Sequence, residues 1–182
     1  MFYFNGTTWV QQSKLTASDG AAGNIFGTSV FVSDKYAIVG SPGKTGNKGG
    51  AYIFELSGTT WSQKSALTAS DGAADDYFGI SVSASGTTAI VGADRKNYSS
   101  VVDAGGAYIY VFNGTTWNEQ KLVSPSPATN DFFGGSVAAS GDYILIGAEG
   151  KSSSKGEAYT DTAGTITNYT PTISPIPDQY TN

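Results

Sequence analysis

Short runs of alternating and continuous apolar residues follow one another along most of the chain. In the run 78–84, every second residue is apolar, and Ser81 and Ser83 fill two of the positions between them. A period of two is typical of a β-strand, because successive side chains point to opposite faces. The next run, 88–92, is almost continuously apolar, which is typical of a strand that is buried on both faces. The pattern predicts two strands joined by a turn at Ser85-Gly86.

Two further strands are predicted on the C-terminal side of this pair. Residues 106–112 are apolar and aromatic, and Asn113-Gly114 follows them directly. Asn-Gly is a strong hairpin signal because both residues tolerate positive φ. The fourth strand starts at Trp117 and continues with polar residues, as expected at an outer edge. One unit is therefore predicted to contain four short antiparallel strands.

The unit occurs three times, with a period of about 50 residues. Three markers recur at this spacing: Trp9, Trp61 and Trp117; Gly27, Gly79 and Gly134; and Gly40, Gly92 and Gly147. Four antiparallel strands repeated at this interval are typical of a β-propeller blade. The sequence therefore predicts an all-β protein with β-propeller-type blades of four antiparallel strands, of which about three and a half are present.

The ends of the chain set the predicted boundaries. The predicted units are the second half of a preceding blade (1–18), three blade repeats of which the last is degenerate (19–70, 71–123 and 124–169), and a Pro-rich linker (170–182). Propellers need roughly four to eight blades to close. We therefore expect an incomplete ring, or one completed by sequence outside this chain or by oligomerisation through open blade edges, since unpaired strand edges are templates for association.

Each unit carries a Phe-Gly pair at its first strand and a Gly-containing triplet after its second. The motifs are Phe26-Gly27 with Gly40-Ser41-Pro42, Phe78-Gly79 with Gly92-Ala93-Asp94, and Phe133-Gly134 with Gly147-Ala148-Glu149. These units resemble the FG-GAP repeat, which forms the blades of the integrin α-subunit propeller and of many bacterial surface proteins. The match looks closest to the bacterial variety, because the lead-in Leu-Thr-Ala-Ser-Asp-Gly-Ala-Ala occurs at 15–22 and 67–74. The resemblance covers roughly residues 1–160 and implies a propeller of the extracellular or cell surface. The tail 173–179 resembles the start of an immunoglobulin-like or cadherin-like module.

Calcium is the only cofactor that the resemblance suggests. Integrin-type repeats often carry an Asp-rich calcium loop between their first two strands, but the turns here are too short and too poor in carboxylates to supply six to eight oxygens. The densest acidic group is Asp71, Asp75 and Asp76. These residues are candidate ligands for calcium or for sugar hydroxyls. The alternative is that they are turn residues that accept bonds from nearby backbone amides.

Charge and composition narrow the range of functions. The net charge is −5 and no Lys/Arg cluster occurs, so no nucleic-acid partner is expected. The loop lysines Lys44, Lys48, Lys151 and Lys155 are interpreted as solvated. The chain has no Cys and no His, which removes thiol chemistry and the commonest general base. No apolar run reaches about 18 residues, so no membrane insertion is expected.

The loops between the second and third strands are the most variable parts of the repeat. They span 45–49, 95–103 and 151–155, and they should project from one rim. The predicted contact residues are Thr45, Asn47, Lys48, Arg95, Lys96, Asn97, Tyr98, Asp103, Lys151 and Lys155. Because loops on rigid scaffolds usually carry function, we expect a non-enzymatic extracellular or cell-surface binding or adhesion scaffold with a protein partner.

Two alternatives remain open at this point. Trp9, Trp61 and Trp117, with nearby tyrosines, could stack on sugars, which would make the chain a carbohydrate-binding propeller; otherwise each Trp packs at a fixed repeat position. A polysaccharide-active enzyme would need two carboxylates facing one pocket, and no local pattern indicates such a pair.

Overall fold

The computed structural model describes residues 1–162 and 174–175. The strands are β1 (Phe2–Phe4), β2 (Trp9–Gln11), β3 (Val30–Val32), β4 (Tyr36–Gly40), β5 (Ala51–Ser57), β6 (Thr60–Leu67), β7 (Ser81–Ser85), β8 (Thr88–Ala93), β9 (Gly106–Phe112), β10 (Trp117–Leu122), β11 (Phe133–Ser140), β12 (Tyr143–Ala148), β13 (Glu157–Thr162) and β14 (Ser174–Pro175). Two single-turn helical segments, α1 (Lys44–Asn47) and α2 (Lys151–Ser154), lie in loops. The end of the third repeat and most of the predicted linker lie outside the described residues.

The strands form the predicted antiparallel blades. Three four-stranded sheets have the orders β3-β4-β5-β6, β7-β8-β9-β10 and β11-β12-β13-β14, and β1-β2 forms a separate hairpin. Neighbouring strands in each sheet are consecutive in the chain and antiparallel. We call the sheets the first, second and third blades and the β1-β2 hairpin the half-blade. The all-β prediction is confirmed. Ser174–Pro175 pairs with β13 and is the fourth strand of the third blade.

In the second blade the first strand starts later than predicted, whereas in the third blade it starts at Phe133, the equivalent of Phe78. The pattern places its start at Phe78, whereas β7 begins at Ser81. Tyr77 and Gly79 have φ values of 57° and 94°, which are incompatible with an extended strand. Phe78 instead forms a parallel bridge with Gly49 of the first blade, and its ring packs edge-on against Tyr108, 5.3 Å between centroids. The Phe-Gly pair is therefore a connection between blades.

One contact is repeated at both boundaries between complete blades. The Ser29 hydroxyl donates to the Gly79 carbonyl oxygen at 2.8 Å, and Ser81 donates to Gly134 at 2.7 Å. A Cβ atom on Gly40 would lie 2.0 Å from the Gly79 oxygen, so a side chain there would displace the next blade. The glycine at the end of the second strand therefore allows the backbone of the neighbouring blade to approach closely.

The apolar core crosses the blade boundaries. Ile38 of the first blade packs in one cluster with Phe78 and Tyr108, which belong to the second. A second cluster joins Ile90 of the second blade to Phe133 in the same way. These two clusters therefore join adjacent blades, whereas a third cluster, which includes Tyr52 and Phe54, lies in the first blade.

The tryptophans occupy equivalent positions but different environments. Trp61 packs against the core of the first blade, and its Nε1 donates to Gln12 at 3.3 Å. Trp117 is half-buried beside Phe112. Trp9, in the half-blade, is exposed. Packing therefore accounts for two of the three tryptophans.

Candidate functional site

The three loops predicted to form the rim have a common position in the fold. Residues 45–49 connect β4 to β5, 95–103 connect β8 to β9, and 151–155 connect β12 to β13. We call them the first, second and third rim loops. Because each loop leaves the same end of the second strand of its blade, all three lie at corresponding edges.

The first and third rim loops are left-handed turns. Thr45, Gly46 and Asn47 have φ values of 51°, 63° and 59°, and residues 152–154 have φ values of 55° to 67°. Left-handed conformations are costly for residues other than glycine, so they persist only where the surroundings hold them. In the first loop, the Gly49 amide donates to the Lys44 carbonyl at 2.9 Å and closes the turn.

The first and second rim loops are hydrogen-bonded to the lead-in of the following blade. The Tyr77 amide donates to the Asn47 carbonyl at 2.8 Å, and the Asn47 side chain donates to Asp75 at the same distance. In the second loop, the Asn130 amide donates to the Val102 carbonyl at 3.0 Å. These bonds fix the loop backbones as part of each blade boundary.

A lysine anchors each rim loop from within. Lys44, Lys96 and Lys151 each follow the glycine near the end of the second strand by four residues. The Lys96 ammonium donates to Asp76 at 2.8 Å and to the Asp71 carbonyl at 2.9 Å, and both Lys96 and Asp76 are buried.

The other two lysines also pair with a carboxylate of the lead-in segment, but the partner of Lys44 lies at the position of Asp71 and not at that of Asp76. Lys151 donates to Asp131 at 2.8 Å and to the Ser126 carbonyl, and Lys44 donates to Asp19 at 2.6 Å. The interpretation of Lys44 and Lys151 as solvated is therefore wrong.

The predicted contact residues divide into three groups by their burial. Lys96 and Lys151 are buried in ion pairs, so the prediction that they contact a partner is corrected. Asn47, Lys48 and Asp103 are only half-buried, but Asn47 is engaged by Asp75, and the stem of Lys48 lies close to Gly72. The exposed members are Thr45, Arg95, Asn97, Tyr98 and Lys155.

The acidic group 71–76 is engaged by the chain itself. Asp76 accepts bonds from Lys96 and from the Ala73 amide at 2.8 Å, so the turn interpretation holds for Asp76. Burial alone would raise the pKa of Asp71, but hydrogen bonds from Lys121 and Tyr108, each 2.6 Å long, hold that pKa below its ordinary value. In the part of the chain that the structure describes, no group of three or more acidic side chains is arranged to hold a metal ion.

The second rim loop presents an exposed aromatic, cationic and apolar surface. Tyr98 and Val102 are both exposed, and the Tyr98 and Val101 backbones pair through two bonds of 3.0 Å. The Arg95 guanidinium lies 5.4 Å from the centroid of the Tyr77 ring. We call Arg95, Tyr98 and Val102 the rim patch. Sequence reasoning missed Val102, although the adjacent valines 101 and 102 are unusual in a polar loop.

Asp94 lies at the base of the rim patch. Its Oδ1 atom is buried and has no hydrogen-bond partner within the described residues. Burial raises the pKa of Asp94, while the neighbouring Arg95 opposes the rise, and the nearby Glu149 and Asp103 add to it. The rim patch therefore sits next to three carboxylates.

A second candidate site lies between the outer strands of the first and second blades. This cavity has a volume of about 280 Å³ and includes the aromatic rings of Tyr36, Phe112 and Trp117 in its lining. Glu55 and Lys64 also line it, and they form an ion pair of 3.2 Å. Aromatic rings beside polar groups are suited to bind a sugar.

None of the described helical segments has the length and apolar character needed to cross a bilayer.

Comparison with known proteins assigns the family. No curated protein shows significant similarity to the chain. The FG-GAP repeat profile matches residues 9–54, 61–110 and 117–160, so each match runs from one blade's outer strand into the next blade. The chain therefore belongs to the FG-GAP repeat family, with three repeats in register on three antiparallel blades.

Proposed function

We propose that this chain is a non-enzymatic binding or adhesion scaffold of the extracellular or cell surface, and that it contacts a protein partner through the rim patch. The observation that carries the proposal is the combination of a fixed loop backbone with exposed aromatic, cationic and apolar side chains. The second rim loop is hydrogen-bonded to the third blade and anchored by buried Lys96, yet Arg95, Tyr98 and Val102 face solvent.

The chemistry of the rim patch favours a polypeptide partner. Tyr and Arg are enriched among residues that dominate binding energy at protein interfaces. A loop that is already ordered loses little entropy on binding, so its contacts contribute more fully to affinity.

Family membership supports a binding role without identifying the partner. Rigid repeat scaffolds commonly present variable loops on one face, and here the second rim loop is the longest of the three. The resemblance to blades of adhesion receptors and bacterial surface proteins favours an extracellular location.

The test uses purified fibronectin, laminin and fibrinogen as immobilised probes. The full chain should bind at least one of them, and Arg95→Ala with Tyr98→Ala and Val102→Ser should weaken that binding at least about tenfold, which corresponds to loss of about 1.4 kcal/mol. Thr87→Ala with Asp142→Ala is the matched control, since both residues are exposed in turns at the opposite blade edge. Failure of all three probes, or equal binding by the rim variant, would contradict the proposal.

A carbohydrate-binding propeller is the second candidate, because of the aromatic cavity between the first two blades. On a glycan array, this function predicts a signal that Trp117→Leu removes and that the rim-patch variant retains. The two candidates therefore give opposite patterns with the same pair of variants.

A further inference from the structure

A buried carboxylate oxygen without a partner lies at the boundary between the second and third blades. Asp94 directly precedes the second rim loop, and its Oδ1 atom is buried without a hydrogen-bond partner among the described residues. The third blade is close to it, since a Cβ atom added to Gly135 of β11 would lie 3.9 Å from the Asp94 Cβ atom. A buried, unpaired carboxyl group is far more costly when it is charged than when it is protonated.

Two further carboxylates face Asp94, one from each side of the boundary. Asp103 ends the second rim loop, and Glu149 directly follows β12 of the third blade. Both act on Asp94 by like-charge repulsion, and one cation, Arg95, offsets them in part. The Arg95 guanidinium lies over the ring of Tyr77, 5.4 Å from its centroid. The boundary therefore holds three carboxylates near a single neighbouring cation.

The boundary between the first and second blades lacks this arrangement. Pro42 is the equivalent of Asp94, because each follows the second-strand glycine by two residues. Asn47 is the equivalent of Asp103, because the carbonyl of each accepts the amide of the residue before the next Phe-Gly pair. A blade junction of this fold therefore does not require the carboxylates, which are a particular property of the second boundary.

The carboxylates lie beside hydrogen bonds that hold the second boundary together. The Phe132 amide donates to the Asp103 carbonyl at 3.1 Å, and the Phe133 amide donates to the Ala104 carbonyl at the same distance. Repulsion between Asp94 in the second blade and Glu149 in the third opposes these bonds. Loss of the charge on Asp94 would remove this repulsion together with the cost of burying the charge.

We propose that Asp94 is an acid-responsive element of the boundary between the second and third blades. As the pH falls, Asp94 takes up a proton while the chain is folded, and the neutral side chain holds the two blades together more tightly than the charged one. The proposal concerns the folded chain alone, so it does not depend on the proposed function, and either can fail without the other.

The pKa of Asp94 is shifted in the direction that the geometry requires. Burial is the largest cause and raises this pKa, Arg95 partly opposes the rise, and Glu149 and Asp103 add to it. A carboxyl group with a higher pKa in the folded than in the unfolded chain stabilises the fold when it is protonated. This contribution is complete below the ordinary Asp value of about 3.9 and is lost as the pH rises through the folded pKa.

Urea unfolding of the full 182-residue chain between about pH 4.5 and pH 8 tests the proposal. At the upper end of this range, Asp94→Asn should raise the ratio of folded to unfolded chain at least about threefold, because the amide carries no charge. The advantage of the variant should shrink as the pH falls, since the wild-type carboxyl group then becomes neutral. A purely steric effect of the substitution would be the same at every pH.

Two further variants isolate the role of charge at the boundary. Glu149→Gln keeps Asp94 and removes one repelling charge, so it should lower the pKa of Asp94 and move the pH dependence to lower pH. Asp142→Asn is the matched control, because Asp142 is exposed in the turn between β11 and β12. Its effect on the folded-to-unfolded ratio should be small across the whole range.

The titration of the Asp94 carboxyl carbon, followed by carbon-13 NMR in the wild-type chain, decides the question even if Asp94→Asn does not fold. A midpoint above the ordinary Asp value supports the proposal, and a midpoint at or below that value would overturn it. An Asp94→Asn variant that is less stable than the wild type at every pH would also overturn it, because the charged carboxylate would then be the favourable form.

Discussion

The lysine four residues after each second-strand glycine pairs with a carboxylate, and in the second and third blades this ion pair is buried. The buried Lys96 ammonium lies among the Asp76 carboxylate and the Asp71 carbonyl, both contributed by the lead-in segment of its own blade. Buried charges are tolerated when they are paired and hydrogen-bonded, and removal of one partner leaves the other uncompensated. Lys96 thus connects the second rim loop to the lead-in segment that contains Asp71 and Asp76.

Lys96→Met should destabilise the protein by about 3–5 kcal/mol, since it leaves Asp76 buried without its cation. Lys155→Met is the matched control, because Lys155 is exposed, and its effect should stay within about 0.5 kcal/mol. Urea unfolding measures both. A Lys96→Met effect as small as the control would show that the ion pair contributes little.

The sequence shows that these lysines recur at a fixed position in the repeat, but it does not show which carboxylates they pair with. The constant spacing of four residues after the glycine is visible in the sequence. The carboxylates lie 20 residues away in the pairs Lys96–Asp76 and Lys151–Asp131 and 25 away in Lys44–Asp19. Such separations follow no secondary-structure period, so only the fold shows the pairing.

At the scale of strands, the boundary between blades depends on backbone contact. A Cβ atom added to Gly92 would lie 1.9 Å from the Gly134 carbonyl oxygen. The same oxygen accepts a hydrogen bond from the Ser81 hydroxyl. A side chain at Gly92 would therefore push the third blade away and break this hydrogen bond.

Gly92→Ala should cost about 1–3 kcal/mol, as expected for an inserted methyl group in a packed interface. Gly106→Ala is the matched control in the adjacent strand, because its added Cβ would meet other atoms no closer than 3.5 Å. Differential scanning calorimetry should show a lowered melting temperature for the first variant only. Equal melting temperatures would mean that the boundary adjusts to accommodate a methyl group.

Hydrophobic periodicity predicted the second strands well, but it predicted the start of the first strand correctly only in the third blade. The predicted second strand 88–92 agrees with β8, because a continuous apolar run between turn residues has few alternatives. The first strand was extended back to Phe78, since apolar alternation continues there. Tyr77 has positive φ, which is uncommon for a bulky residue and cannot be read from residue type.

On the scale of the whole molecule, stability should vary along the stack of blades. The second blade packs against a neighbour on each side, whereas the half-blade leaves its β1 side chains exposed. Repeat arrays of this kind behave as sums of units and nearest-neighbour interfaces.

Hydrogen exchange should therefore be slowest in β8 and β9 and fastest in β1 and β2. Exchange followed by mass spectrometry on the free chain measures this gradient directly. Uniform protection across all blades would show instead that the chain opens as one cooperative unit.

The number of blades could be predicted from the sequence, but the surfaces they leave open could not. Val30 and Val82 have the same residue type and the same position in the repeat, so no pattern distinguishes them. Their different exposure arises from the presence or absence of a preceding inner hairpin, which is a property of the assembled fold.

The serine-to-carbonyl contact between blades also bears on how such a chain can change length. Because the same bond joins the first blade to the second and the second to the third, each junction is chemically interchangeable with the other. A gene duplication or deletion that copies or removes one whole unit of about 50 residues would create only a junction that the protein already contains. Insertion of part of a unit would instead separate a serine from its carbonyl, so gain or loss of whole units is the change that preserves this contact.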